Sequence, residues 1–187
     1  MKQILLILTC FFISTTLNAQ DTDPWTKYMT PNDIHKMLGG YVGEFNMEIS
    51  MWMTEGKTPE IINVNSTNKM ILGKRFLEAT QTGNMMGMDY SSLSTIGYNT
   101  INKSFSLTTL TNMGTGTLYL NGFWDEKKRI ANLKGTITNP MDGKSINVRQ
   151  QISFIDKDNL LIENFDTYEG QVEKKSIQYK FVRKIEN

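Results

Sequence analysis

Strict alternation over residues 41–53 constrains this chain more than any other feature. Tyr41, Gly43, Phe45, Met47, Ile49, Met51 and Met53 take the odd positions, with Glu44, Asn46, Glu48 and Ser50 among the even ones. A period of two places the first set on one face of a long β-strand and the second set on the other. Burying such a row contributes on the order of 10 kcal/mol, an upper bound because the unfolded chain already hides some apolar area. A strand of this length cannot satisfy its own backbone, so it needs partners along both edges.

What surrounds that strand decides how the partners arrive. Residues 1–19 read as an export signal: Lys2 gives a positive start, 4–13 is apolar apart from Thr9 and Cys10, and Ala19 marks a cleavage point. The apolar run is too short to anchor in a bilayer, and Thr9 before Cys10 is a poor lipobox. Residues 20–187 are expected to form one domain. After cleavage the chain would keep 19 basic and 19 acidic residues and no cysteine. That balance leaves no electrostatic footprint for nucleic acid, and no integral membrane anchor is expected. Stability must come from packing and backbone pairing rather than disulfides.

Residues 21–25 form a polar lead-in. A short helix is expected over 30–38, with Thr30 as N-cap, Pro31 in the first helical position, and a Met29–Ile34 staple. Gly39 and Gly40 end it. Strands follow at 60–72, 75–82, 88–99, 103–112, 117–125, 129–138, 145–155, 159–167 and 173–184. Turn chemistry separates them at Gly73, Gly83-Asn84, 99–102, Gly114 to Gly116, 126–128, Asp142-Gly143, 156–159 and Glu169-Gly170. Gaps this short favour antiparallel neighbours. About ten long strands in continuous meander predict an all-β, up-and-down antiparallel barrel, with the helix covering one end.

The order of landmarks resembles a bacterial family known as domain of unknown function 1579, whose members look like lipocalin-type barrels. Trp25, Tyr28, Pro31, His35, Leu38 and Gly43-Glu44-Phe45 carry the resemblance, followed by 72–77, Gly87, Gly97-Tyr98-Asn99, Lys103, Gly114-Thr115, Gly122 and Asp125. Asn99 stands where the family pattern favours Asp, and Thr111-Asn112 replaces an acidic position. The resemblance implies a reduced form of the lipocalin pair, Gly43-x-Phe45 with Arg183. An Arg in phase with an inward apolar row can stack on an aromatic ring at a closed end, and Phe45 is the candidate ring.

Candidates for chemistry are few. There is no Gly-x-Ser-x-Gly elbow, and His35 is the only imidazole. It borders the Ile34–Leu38 stripe, which predicts a half-buried structural histidine. Glu44 and Glu48 lie on the polar face, Asp156 and Asp158 flank a turn, and Gly114-Thr115-Gly116 has no following helix to make a phosphate cradle. The methionines number 12, with Met85, Met86 and Met88 grouped near a barrel mouth. Without His or Cys beside them they suit an adaptable apolar lining better than Cu(I), and no metal or cofactor is expected.

These readings converge on a ligand-binding interior. Tyr90, Ile96 and Tyr98 alternate with the small Ser92 and Ser94, which leaves room inside a barrel. Phe45, Met47, Met51, Tyr90, Tyr98 and Tyr179 are the expected lining, with Arg75 and Gln150 as the polar groups that orient a ligand head. The leading function is reversible, non-enzymatic binding of a small hydrophobic molecule by an exported protein, periplasmic or secreted. The alternatives are a hydrolase- or isomerase-type enzyme using His35 or a carboxylate, and an envelope protein-interaction module with Trp52 and Trp124 as exposed anchors. A cavity above about 300 Å³ favours the binder, and a filled interior favours a structural role.

Overall fold

A computed structural model describes residues 23–54 and 56–185. The expected leader over 1–19 lies outside the described residues. Ten strands close into one barrel in meander order: β1 (Gly43–Met51), β2 (Glu60–Ile71), β3 (Phe76–Met85), β4 (Met88–Asn99), β5 (Ser104–Thr111), β6 (Leu118–Asp125), β7 (Ile130–Thr138), β8 (Ser145–Phe154), β9 (Asn159–Thr167) and β10 (Lys174–Arg183). Every strand pairs antiparallel with its chain neighbours, and β1 closes the wall against β10. Closure removes the free edges that so long a first strand would otherwise expose. Ten strands rather than the eight of a lipocalin make this wall, so the likeness to that class extends to topology alone.

The alternation sets the inside. Phe45, Met47 and Ile49 of β1 are buried, as are Val148, Ile152 and Phe154 of β8 and Phe181 of β10. β3 departs from expectation at its end. It runs on to Met85, and the hairpin turns at Met86-Gly87, both with positive φ, rather than at Gly83-Asn84. Gly83 lies within the strand, paired with Val64 and Tyr90, and is glycine because a Cβ there would come within 2.6 Å of the Val64 side chain.

The N-terminal segment also differs. It holds two helices, α1 (Pro24–Met29) and α2 (Asp33–Gly39), where one was expected over 30–38. Thr30 does not cap α2 because it lies two residues before the cap position; it closes α1 instead, its hydroxyl donating to the Thr26 carbonyl. Asn32 caps instead: its side chain accepts from the Ile34 N–H, and His35 Nδ1 accepts from the Asn32 N–H at 3.1 Å. This is a capping box with an imidazole in place of the usual Glu. Met29 is exposed rather than stapled to Ile34, its carbonyl held by Arg75. Leu38 and His35 are the buried residues of α2, which lies against β2 and β3 at one end of the barrel.

That end is plugged by rings. Phe105 lies 5.5 Å from Trp124 and 6.0 Å from Phe154, and Tyr41 packs edge-on to Phe154 at 5.4 Å. Over them sits the expected latch. The Arg183 guanidinium is 4.5 Å from the Phe45 ring centroid and donates to Asp158 and to the carbonyls of Gly40, Val42 and Lys157. Gly43 has φ +123°, and a Cβ there would meet Arg183 Nη1 at 2.8 Å, so this position must be glycine for the latch to close.

Candidate functional site

Beyond the aromatic plug the inward positions change character. Ser66 and Asn68 of β2, Gln81 of β3 and Ser92 of β4 are all buried. Register places Ser66 opposite Gln81 and Gln81 opposite Ser92, so three strands carry one polar row. Tyr90 Oη donates to Ser92 Oγ at 3.0 Å, Ser92 donates to Gln81 Oε1, Gln81 Nε2 reaches Ser66 at 3.4 Å, and Ser66 donates to Asn68 at 2.8 Å. A second row crosses β8 and β9, where Gln150 lies opposite Asn164.

The second row has a fixed polarity. A carboxylate only accepts hydrogen bonds, so Asp166 must receive the Asn164 amide N–H, which it does at 2.8 Å. Asn164 therefore turns its Oδ1 to Gln150, which must answer with Nε2, at 2.9 Å. The remaining Gln150 Oε1 is buried with no hydrogen-bond partner among the described residues. A buried acceptor left unmade costs about 1–3 kcal/mol, so this atom is a standing demand for a donor.

Between the two rows lies a cavity of about 80 Å³. Gln81, Asn68, Tyr90, Ser92 and Gln150 line its polar sides, and Met47, Leu107, Leu118, Leu160, Ile162 and Phe181 its apolar ones. Tyr179 borders it too; burial first, then the fields of Tyr90 and Asp166, push its phenol far up, so it stays a neutral hydroxyl. Burial also raises the Tyr90 phenol, against the Ser92 hydrogen bond. Met51, Met85, Ile137 and Ile177, half-buried and packed on the core, stand on the strand ends away from α2.

The expected site residues divide into groups. Met47, Tyr90, Gln150 and Tyr179 meet at the cavity, together with Ser92, Ser94 and Ile96. Phe45 does not: it lies beneath Arg183 in the plug. Met51 is at the far strand ends. Arg75 and Tyr98 border a different pocket, outside the barrel wall beside α1 and α2. Arg75 cannot orient a ligand head in the interior because its side chain is exposed and clasps the Met29, Leu72 and Gly73 carbonyls. Ser66, Asn68 and Gln81 were missed. Their signal is a run of polar residues at inward phase in β2 and β3, where the apolar alternation lapses.

His35 is likewise away from the cavity. Its ring is edge-on to Tyr98 at 6.0 Å, and Nδ1 faces both the Asn32 N–H at 3.1 Å and Asn32 Oδ1 at 2.9 Å. Burial, and secondarily the Arg75 charge, hold its pKa below the usual imidazole value, while a hydrogen bond to the Tyr98 backbone opposes them. The expected Trp anchors are not exposed ones. Trp124 belongs to the aromatic plug, and Trp52 is half-buried with Lys175 Nζ 4.9 Å from its ring centroid. Among the described residues no helix is long and apolar enough to cross a membrane.

The family model described as protein of unknown function (DUF1579) matches residues 30–183, from the strap before α2 to the latch arginine. The chain belongs to this family. Members are thus represented here by a ten-stranded closed barrel with a polar-rowed interior. No curated protein matches the chain. Ten chains of known structure do, among them a redesigned β-barrel that is 7% identical, with a TM-score of 0.45 over 80% of this chain and 96% of its own.

Proposed function

We propose that this DUF1579 barrel reversibly binds a small, mostly apolar molecule that carries one hydrogen-bond donor. The observation that carries the reading is Gln150 Oε1, buried without a partner on a residue that borders the cavity. The apolar wall suits a hydrocarbon body, and the orphan acceptor selects a hydroxyl, an amide N–H or a protonated acid over a carboxylate. At about 80 Å³ the cavity falls below the 300 Å³ mark set for a binder, so volume alone does not favour the reading and only a small guest is proposed. It is about half the engineered cavity of about 150 Å³ that holds benzene, so a guest of the size of benzyl alcohol already requires Met47 or Leu118 to move.

Neither alternative function gains a specific observation. His35 is committed to a helix cap, away from the cavity, and the two tryptophans offered as anchors are packed. Export is part of the proposal on the strength of the leader pattern in residues 1–19, and cell fractionation checks it.

Ligand-observed NMR with benzyl alcohol and toluene tests the binding. Benzyl alcohol should bind more tightly than toluene in the native chain, and Gln150→Leu should remove the preference. Failure of both to bind contradicts the proposal, as does an unchanged preference in Gln150→Leu. Solvent extraction and mass spectrometry of the purified protein would identify a resident molecule.

A further inference from the structure

We propose a second binding site outside the barrel wall, in the pocket between the α1–α2 segment and strands β3 to β5, for an organic anion with a flat aromatic body. It is independent of the interior reading. The pocket has a volume of about 360 Å³ and is bordered by Tyr28, His35, Arg75, Phe76, Tyr98 and Ser106, among others. That volume lies within the usual range for small-molecule sites.

Register builds its floor. Phe76, Gly97 and Ser106 are side by side on β3, β4 and β5. A Cβ at Gly97 would come within 2.7 Å of the Phe76 ring and 3.1 Å of Ser106 Oγ, so the glycine is what lets that ring lie across the neighbouring strand. The Phe76 ring keeps part of its surface exposed, and Tyr28 opposite is 51% exposed. Tyr98 borders the pocket from the rim, its ring packed on Phe105 of the plug at 5.0 Å. Offset or edge-on contact with such rings favours a planar aromatic guest over a flexible chain.

Arg75 supplies the charge. Nε and Nη2 donate to the Met29 carbonyl at 3.1 and 2.6 Å, and Nη1 donates to the Leu72 and Gly73 carbonyls at 3.3 and 3.2 Å. These carbonyls fix the guanidinium in place and leave its charge intact. Among the described residues no carboxylate forms an ion pair with it. Four hydrogen bonds engage four of its five N–H groups, so one on Nη2 remains for a guest. Of the acidic groups, Glu78 pairs with Lys69 and Asp33 with Lys36, while the Glu126 charge reaches Tyr98 and opposes an anion on that side, which places the carboxylate at the Arg75 side of the pocket. A carboxylate on Arg75 with its ring against Phe76 and Tyr28 satisfies both features of the pocket.

Calorimetric titration of the purified chain with 2-naphthoate, 2-naphthamide and octanoate tests this. Naphthoate should bind saturably and at least tenfold more tightly than either of the others. Arg75→Gln should bring naphthoate down to the level of naphthamide. Because Arg75 also holds the Met29 carbonyl, Ser106→Phe serves as a second variant: it fills the pocket from the strand side with Arg75 in place, and should abolish naphthoate binding. His35 gives an independent reading, since it is the only histidine in the chain. Neutralising the Arg75 charge lifts one of the influences that hold its pKa down, so naphthoate should raise its NMR titration midpoint and naphthamide should not. Absence of naphthoate binding, equal affinity for acid and amide, octanoate binding as tightly as naphthoate, or naphthoate affinity unmoved by both variants would overturn the proposal.

Discussion

The helix-covered end and the cavity half of this barrel share one wall and one alternation, yet they do opposite things with it. At the covered end the inward positions carry Phe45, Phe105, Trp124 and Phe154, whose rings meet at 5.5–6.0 Å or lie under a guanidinium clamped by three carbonyls. In the other half the same phase carries Ser66, Gln81, Ser92, Gln150 and Asn164 around a cavity. Large rings fill space, though Tyr41 Oη and Trp124 Nε1 in the plug are, like Gln150 Oε1, buried without a hydrogen-bond partner among the described residues. Amides must be satisfied one by one, and the rows that satisfy them hold the walls apart. Stability is therefore concentrated at one end, and capacity to receive a guest at the other.

Breaking the plug should cost most. Phe45→Ala removes a fully buried ring and the surface on which Arg183 rests, and should lower unfolding free energy by about 4 kcal/mol in chemical denaturation. Arg183→Met keeps the bulk but loses the clamp on Gly40, Val42, Lys157 and Asp158, with an expected loss of about 2–3 kcal/mol. A loss as large from Gln81→Leu would contradict the division between the two ends. That variant should cost only about 1–2 kcal/mol, because Ser66 and Ser92 each lose one bond but keep Asn68 and Tyr90, and the leucine adds apolar surface to the cavity.

The smallest effect is in pH. His35 has a folded pKa held below its unfolded value, so the unfolded chain binds the extra proton first as pH falls. Stability linked to His35 is full above about pH 6.5 and declines as pH drops toward the folded pKa. His35→Gln should flatten that slope in melts between about pH 5 and 7.5, leaving benzyl alcohol affinity unchanged, since the ring is remote from the cavity.

Much of this contrast is legible in the sequence. Alternation in 41–53 and 146–154 specifies inward faces directly, and the latch is legible through the family resemblance, with the phase of Arg183 against the inward row making the stacking physically reasonable. The polar rows are harder to find because they depend on register. Placing the β3–β4 turn at Gly83-Asn84 slides the strands past one another, and Gln81 then no longer faces Ser92. Arg75 fails for a related reason. It sits in a turn, where alternation says nothing of side-chain direction, and its partners are carbonyls as far away as Met29. The shift from Thr30 to Asn32 as helix cap likewise turns on α1, which takes Thr30 as its C-cap and leaves α2 to begin at Asp33.

Methyl-labelled methionine spectra test the central claim most directly, since Met47 borders the cavity while Met70 packs near the helix-covered end and Met141 is exposed. On titration with benzyl alcohol the Met47 methyl should shift saturably, Met70 and Met141 should stay in place, and Gln150→Leu should weaken the Met47 response. A Met47 signal that never moves, or equal shifts at all three methyls, would contradict the account.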